Sequence, residues 1–129
     1  MREAIPQYEQ ALQIVPDFIP ATHTLAWILA ANPDASLRNG ARAVELARRA
    51  NELSGGQNPM MLGTLGVAYA ETGKFGDAIA AVQKALEIAG GAANATLGNL
   101  LRSELALYQA GLPFRDAALA APVSSPRAP

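Results

Sequence analysis

The sequence predicts an all-α protein built from antiparallel helix hairpins, on three observations. Half of the 129 residues are apolar while aromatics make up only 5%, and alanine leads the apolar set, which favours helix over strand. Apolar residues recur at i, i+3, i+4 and i+7 in one segment after another, with no strand-like alternation between turns. The breaks between segments are short and carry Gly, Pro or Asn, so consecutive helices must fold back on each other. The length suits one domain with a real core.

The first helix spans 1–15, with Ala4, Ile5, Tyr8, Ala11, Leu12 and Val15 on or near its apolar face. Pro6 falls in its first turn, where a missing N–H costs little, and Pro16 ends it. A second helix spans 20–31 with Leu25, Ile28 and Leu29 as its core stripe, and Asn32-Pro33-Asp34 stops it. After 35–40 a third helix runs to about Leu53, carrying Ala43, Ala47 and Ala50, before Ser54-Gly55-Gly56. Residues 58–89 hold the clearest hairpin. Asn58 caps its first helix, Pro59 suits the first turn, and Leu62, Leu65, Gly66 and Tyr69 form one stripe. Gly73 stops that helix, because glycine enters the left-handed conformation without steric cost. Phe75, Ala78, Ile79, Val82 and Leu86 then form the second stripe, ended by Gly90-Gly91. Gly66 and Ala78 are small where these two helices cross, which permits close approach. A last helix covers 92–110, with Leu97, Leu100, Leu101, Leu105 and Tyr108 inward and Asn99, Arg102, Ser103 and Glu104 forming a polar outer face. Gly111-Leu112-Pro113 breaks it, and Phe114 to Ala121 adds a short turn of helix. The ending 122–129 carries three prolines and no periodicity, so disorder is expected there.

The residues Leu65-Gly66, Tyr69, Ala78 and Ala85 resemble the tetratricopeptide repeat (TPR) pattern, with Leu62, Val82 and Gly90 at its Trp, Phe and Pro positions. The spacing recurs. Leu65 to Ala78 is 13 positions and Leu25 to Ala43 is 18, so the middle repeat carries five extra residues around Pro33 to Asn39. Ala4 to Ala43 is then 39, a 34-residue period plus five. The resemblance covers about 1–111. It divides the chain into a truncated repeat (1–18), a repeat with an insertion (19–57), a complete repeat (58–91), a capping helix region (92–121) and a disordered tail (122–129). It implies a short right-handed solenoid of stacked hairpins, whose concave surface is lined by the first helix of each pair. The implied function is a protein–protein interaction scaffold that binds a peptide or helix there.

The groove residues follow from the faces left beside the core stripes. His23, Trp27 and Ala30 lie at i, i+4 and i+7. Forty positions on stand Gly63, Val67 and Ala70, with Met60 opposite Pro20. Trp27 is either the anchor of this apolar groove or a structural side chain packed on a neighbouring helix. Some TPR proteins grip a partner's C-terminal carboxylate with Lys and Asn on this face. Here His23, Trp27, Gly63 and Val67 hold those positions, so that class of partner is not expected.

Other functions find little support. A net charge of −1 provides no footprint for nucleic acid. No run of 18 apolar residues or signal-peptide pattern occurs, which favours a soluble, cytoplasmic protein over a membrane-inserted or secreted one. Cysteine is absent and His23 is the lone histidine, without neighbouring ligands or a nucleophile, so no metal, cofactor or enzymatic activity is expected. Asn94-Ala95-Thr96 reads as a chance glycosylation tripeptide. Arg38, Arg42, Arg48 and Arg49 form a solvated face with Glu45–Arg49 and Arg48–Glu52 as i,i+4 pairs, or a contact for an acidic partner.

The first helix lacks the partner that a complete repeat would give it; one side can stack on 20–31, and the other is expected to expose Ile5, Tyr8 and Leu12 or their neighbours. Either the chain is the C-terminal part of a larger, bacterial-looking protein, or it pairs with a second copy as a homodimer. The alternative function is accordingly a structural or oligomerisation domain.

Overall fold

In a computed structural model, which describes residues 4–90 and 95–120, six helices follow one another. They are α1 (Ala4–Ile14), α2 (Ile19–Ala31), α3 (Gly40–Leu53), α4 (Pro59–Glu71), α5 (Phe75–Ala89) and α6 (Ala95–Gln109). Two single 3-10 turns, Ala35–Leu37 and Ala117–Leu119, complete the regular structure, and no strand occurs among the described residues. The chain is all-α. Residues 1–3 and 91–94, and the tail 121–129 with its expected disorder, lie outside the described residues.

Each helix packs on the next. In addition α2 touches α4, and α4 touches α6. The even-numbered helices therefore form one row, while α3 and α5 each lie against two successive members of it.

Local chemistry sets the boundaries. The Asn58 side chain accepts from the backbone N–H of Met60 (2.9 Å) and Met61 (3.3 Å), satisfying two donors that the first turn of α4 leaves open. Asn39 does the same for α3 through Arg42 N–H at 3.1 Å. Gly73 turns α4 into α5 at φ +79°, where a side chain would be strained. The α4–α5 crossing is as tight as the small residues require. A Cβ built on Gly66 would lie 2.8 Å from Val82 Cγ2 and 3.3 Å from the Ala78 carbonyl oxygen.

Two apolar clusters fill the interior. One joins α2 and α3 to the near side of α4 through Leu25, Leu29, Ala43, Leu46, Ala47, Leu65 and Val67. The other joins α4, α5 and α6 through Leu62, Ala70, Ala78, Val82, Ala85, Leu101 and Tyr108.

At the start of the chain the structure corrects the expected exposed stripe. Ile5, Tyr8 and Leu12 are half-buried and pack against the first cluster, because α1 lies along α2 with that face inward. The exposed apolar residues at this end are Ile14, Val15 and Phe18, at 75%, 49% and 47% of their full surface. Val15 thus leaves the face assigned to it.

The arginine face is also paired differently from the expected spacing. Arg42 bridges Glu9 of α1 and Glu45, both at 2.8 Å, and Arg49 pairs with Asp17. Ion pairs to α1 and to the turn after it replace the two i,i+4 pairs. The stretch 33–39 between α2 and α3 is built rather than loose. Asp34 accepts from Ser36, and the Asn39 N–H donates to the Leu29 carbonyl at 2.9 Å.

Candidate binding groove

The row α2, α4 and α6 carries most of the expected groove, and the chain itself occupies part of it. After α6, Gly111 adopts φ +73° and residues 112–116 run on without helical structure across the C-terminal ends of α4 and α2. Four contacts hold them. The Phe114 ring packs on the Trp27 indole, with centroids 5.4 Å apart and planes tilted by 54°. The indole N–H donates to the Asp116 carboxylate at 2.8 Å. The Asp116 backbone N–H donates to the Ala31 carbonyl, a group left open at the end of α2, at 2.9 Å. Arg115 forms an ion pair with Glu71 at 2.8 Å.

Glu71 also receives Arg38 at 3.1 Å, and Arg38 donates in turn to the Asn32 carbonyl at 2.8 Å. The stretch between α2 and α3 therefore delivers one cation, and the segment after α6 a second, to a single carboxylate at the end of α4. These pairs are only partly exposed, so the geometry is worth more than an open surface pair.

Three of the expected groove residues, Ala30, Val67 and Ala70, are buried rather than open, and Gly63 is buried as well although it borders the pocket described below. Phe114 packs against both apolar clusters, and Leu119 against the cluster that contains Ala30 and Val67. Trp27 is half-buried and packed on the first cluster, as its structural alternative expects. It packs on the returning segment, with its polar edge satisfied by Asp116.

The remaining groove residues do converge. His23, Trp27, Met60 and Gly63 line a pocket of about 290 Å³ beside the resident segment, toward the N-terminal ends of α2 and α4. Leu97, Leu100 and Leu101 of α6 supply a third wall. Gly63 is what brings α6 close, since a Cβ there would lie 2.9 Å from Leu101 Cδ2.

His23 Nε2 and Thr64 Oγ1 are 2.7 Å apart, and the Thr64 hydroxyl donates to the Met60 carbonyl at 3.2 Å. With that hydroxyl proton used, His23 donates through Nε2–H. Burial lowers the histidine's pKa, so the ring is neutral near pH 7.

Glu104, expected on the outer face of α6, is instead only 1% exposed and lines the pocket. Burial pushes its carboxyl up to about 8, opposed by the Tyr108 hydroxyl that donates to it at 3.4 Å. Tyr108 is raised in turn, first by burial and then by Glu104. Among the described residues no group of three or more metal-ligating side chains converges.

Sequence reasoning missed Phe114, Arg115, Asp116, Glu71 and Arg38 as a set. Each side chain is ordinary alone, and the set is joined by contacts across 33 to 89 positions. Glu104 did leave a signal, because Leu97, Leu101, Glu104 and Tyr108 share one helical face. No family model matches the chain, and the curated proteins and solved structures compared with it give no match either.

Proposed function

We propose that this chain is a protein-interaction scaffold of the TPR type, which holds a partner's peptide along the row α2, α4 and α6 without chemical catalysis. The recurring Leu-to-Ala spacing supports the repeat reading, and so does the placing of α3 and α5 against successive helices of that row. The observation that carries the binding role is the resident segment. A non-helical stretch of chain lies in the groove, held by an aromatic contact, a main-chain hydrogen bond and an ion pair. Those are the elements by which grooves recognise peptides. A partner that competes for the site offers the same order: an aromatic ring, then a cation, then a carboxylate.

The test uses the whole chain with Phe114, Arg115 and Asp116 all changed to Ala, so that the segment loses its grip. A labelled peptide of residues 112–120 is titrated in and followed by fluorescence anisotropy. The triple variant is expected to bind it at least about tenfold more tightly than wild type, whose tethered segment competes at millimolar effective concentration. Equal or absent binding, with helicity retained, sinks this reading.

The exposed Ile14, Val15 and Phe18 favour a second reading, self-association as an oligomerisation domain. It requires light scattering to show a dimer at tens of micromolar that Ile14→Ser with Phe18→Ser dissociates. A monomer in both cases rejects it.

A further inference from the structure

We propose that the pocket between α2, α4 and α6 binds an aliphatic ammonium group on an apolar stem, with the Glu104 carboxyl holding the cation. In its peptide-borne form, a lysine side chain, this rests on the groove reading above. As a free alkylamine site it does not.

The walls select the stem. Trp27, Met60, Leu97, Leu100 and Leu101 present apolar surface. A cavity of about 150 Å³ holds benzene, so the 290 Å³ here accommodates a ligand of roughly ten heavy atoms.

The floor selects the head. Glu104 is 1% exposed, and among the described residues its carboxyl accepts from the Tyr108 hydroxyl alone, at a long 3.4 Å. A buried carboxylate without a counter-charge is costly, and a cation delivered into the same apolar space offsets that cost. Among the described residues no Lys or Arg lines the pocket. The titratable groups placed around Glu104 are Tyr108 on its own helix and His23 across the pocket, whose ring is neutral and engaged by Thr64. From α4 the pocket receives Met60, Gly63 and Thr64, none of them titratable. Among the described residues, burial and the Tyr108 hydroxyl account for the displaced pKa of Glu104.

This arrangement gives amine binding a signature that simple apolar filling lacks. Below pH 8 the bound ammonium must displace the proton that Glu104 carries. Affinity for an amine therefore climbs about tenfold per pH unit well below pH 8, about half as steeply over the last unit, and then levels, whereas an alcohol of equal length shows no such slope.

The experiment titrates n-hexylamine and 1-hexanol into the full chain, read by NMR shifts of the Met60 and Leu101 methyl groups at pH 6, 7 and 8. Hexylamine is expected to bind at pH 8 about fivefold more tightly than at pH 7 and about fiftyfold more tightly than at pH 6. It is also expected to outbind hexanol at pH 8, and Glu104→Gln removes both effects while leaving hexanol binding in place. Retained hexanol binding shows that the variant's pocket is intact. Equal binding of amine and alcohol by wild type, an amine preference that survives Glu104→Gln, or shifts spread away from the pocket each overturn the proposal.

A capped lysine and its norleucine analogue separate the sources. Tighter binding by lysine than by hexylamine identifies a peptide-borne group, and the reverse identifies a free amine. The labelled peptide of residues 112–120 reports on the groove independently, so the two readings fail separately.

Discussion

Replacing Glu104 with Gln stabilises the fold strongly at pH 8 and hardly at pH 4. In the unfolded chain this carboxyl titrates near its ordinary 4.5, and in the native protein burial holds it protonated up to about 8. A raised acid pKa favours the native state while the group is neutral in both forms. Stability is therefore full below about pH 4.5, falls through the interval, and levels off above about pH 8. The loss amounts to about 1.4 kcal/mol per pH unit, or roughly 3–6 kcal/mol across the window. Set against a typical 5–15 kcal/mol for a whole domain, that is a large share. Gln keeps an oxygen for the Tyr108 hydroxyl but has no proton to lose. Urea unfolding of both chains between pH 4 and 8 should give curves that diverge as pH rises. Parallel curves would show that Glu104 ionises normally in the native state.

The Gly66→Val change should have an effect of comparable size and opposite sign, for a steric reason. The first added carbon alone lies 2.8 Å from Val82 Cγ2 and 3.3 Å from the Ala78 backbone oxygen, and a β-branched side chain cannot rotate both methyls clear. Valine's better helix propensity returns only a few tenths of a kcal/mol, against an overpacking cost of about 3 kcal/mol at such a crossing. Adding Val82→Ala relieves the side-chain clash but not the backbone one. The double variant should therefore be more stable than the sum of the two singles by about 1 kcal/mol or more, a coupling expected only between touching residues. Chemical denaturation of the four chains measures it, and additive losses would rule out the crossing as the cause.

What the sequence disclosed and what it hid divide along the range of the contacts involved. The α4–α5 hairpin was legible to within a residue, because Asn58, Pro59 and Gly73 act on their own neighbours and Gly66 faces a helix only one turn away. His23, Trp27, Met60 and Gly63 could be placed on one surface for the same reason, since helical spacing and one repeat shift fix them. The burial of Ala30, Val67 and Ala70 was not legible. It depends on α6 and on Phe114 returning from the far end of the chain, and nothing in periodicity reports a return. Ile5, Tyr8 and Leu12 were correctly seen as one apolar face, but whether that face turned toward α2 or away is a docking angle that composition does not encode. Glu104 misled through its chemistry: a charged residue among Asn99, Arg102 and Ser103 reads as solvated, although its spacing from Leu101 and Tyr108 put it on the inward side.

The bond between Trp27 and Asp116 joins residues 89 positions apart. Proteins are synthesised at about 5–20 residues per second, and their N-terminal parts fold first. A ribosome thus needs roughly 4–18 s after adding Trp27 before it adds the residue that will satisfy it. Throughout that interval α2 and then α4 are present with the indole and the last carbonyls of α2 uncovered. On the groove reading proposed above, a partner that meets the chain during translation arrives ahead of the segment that competes with it.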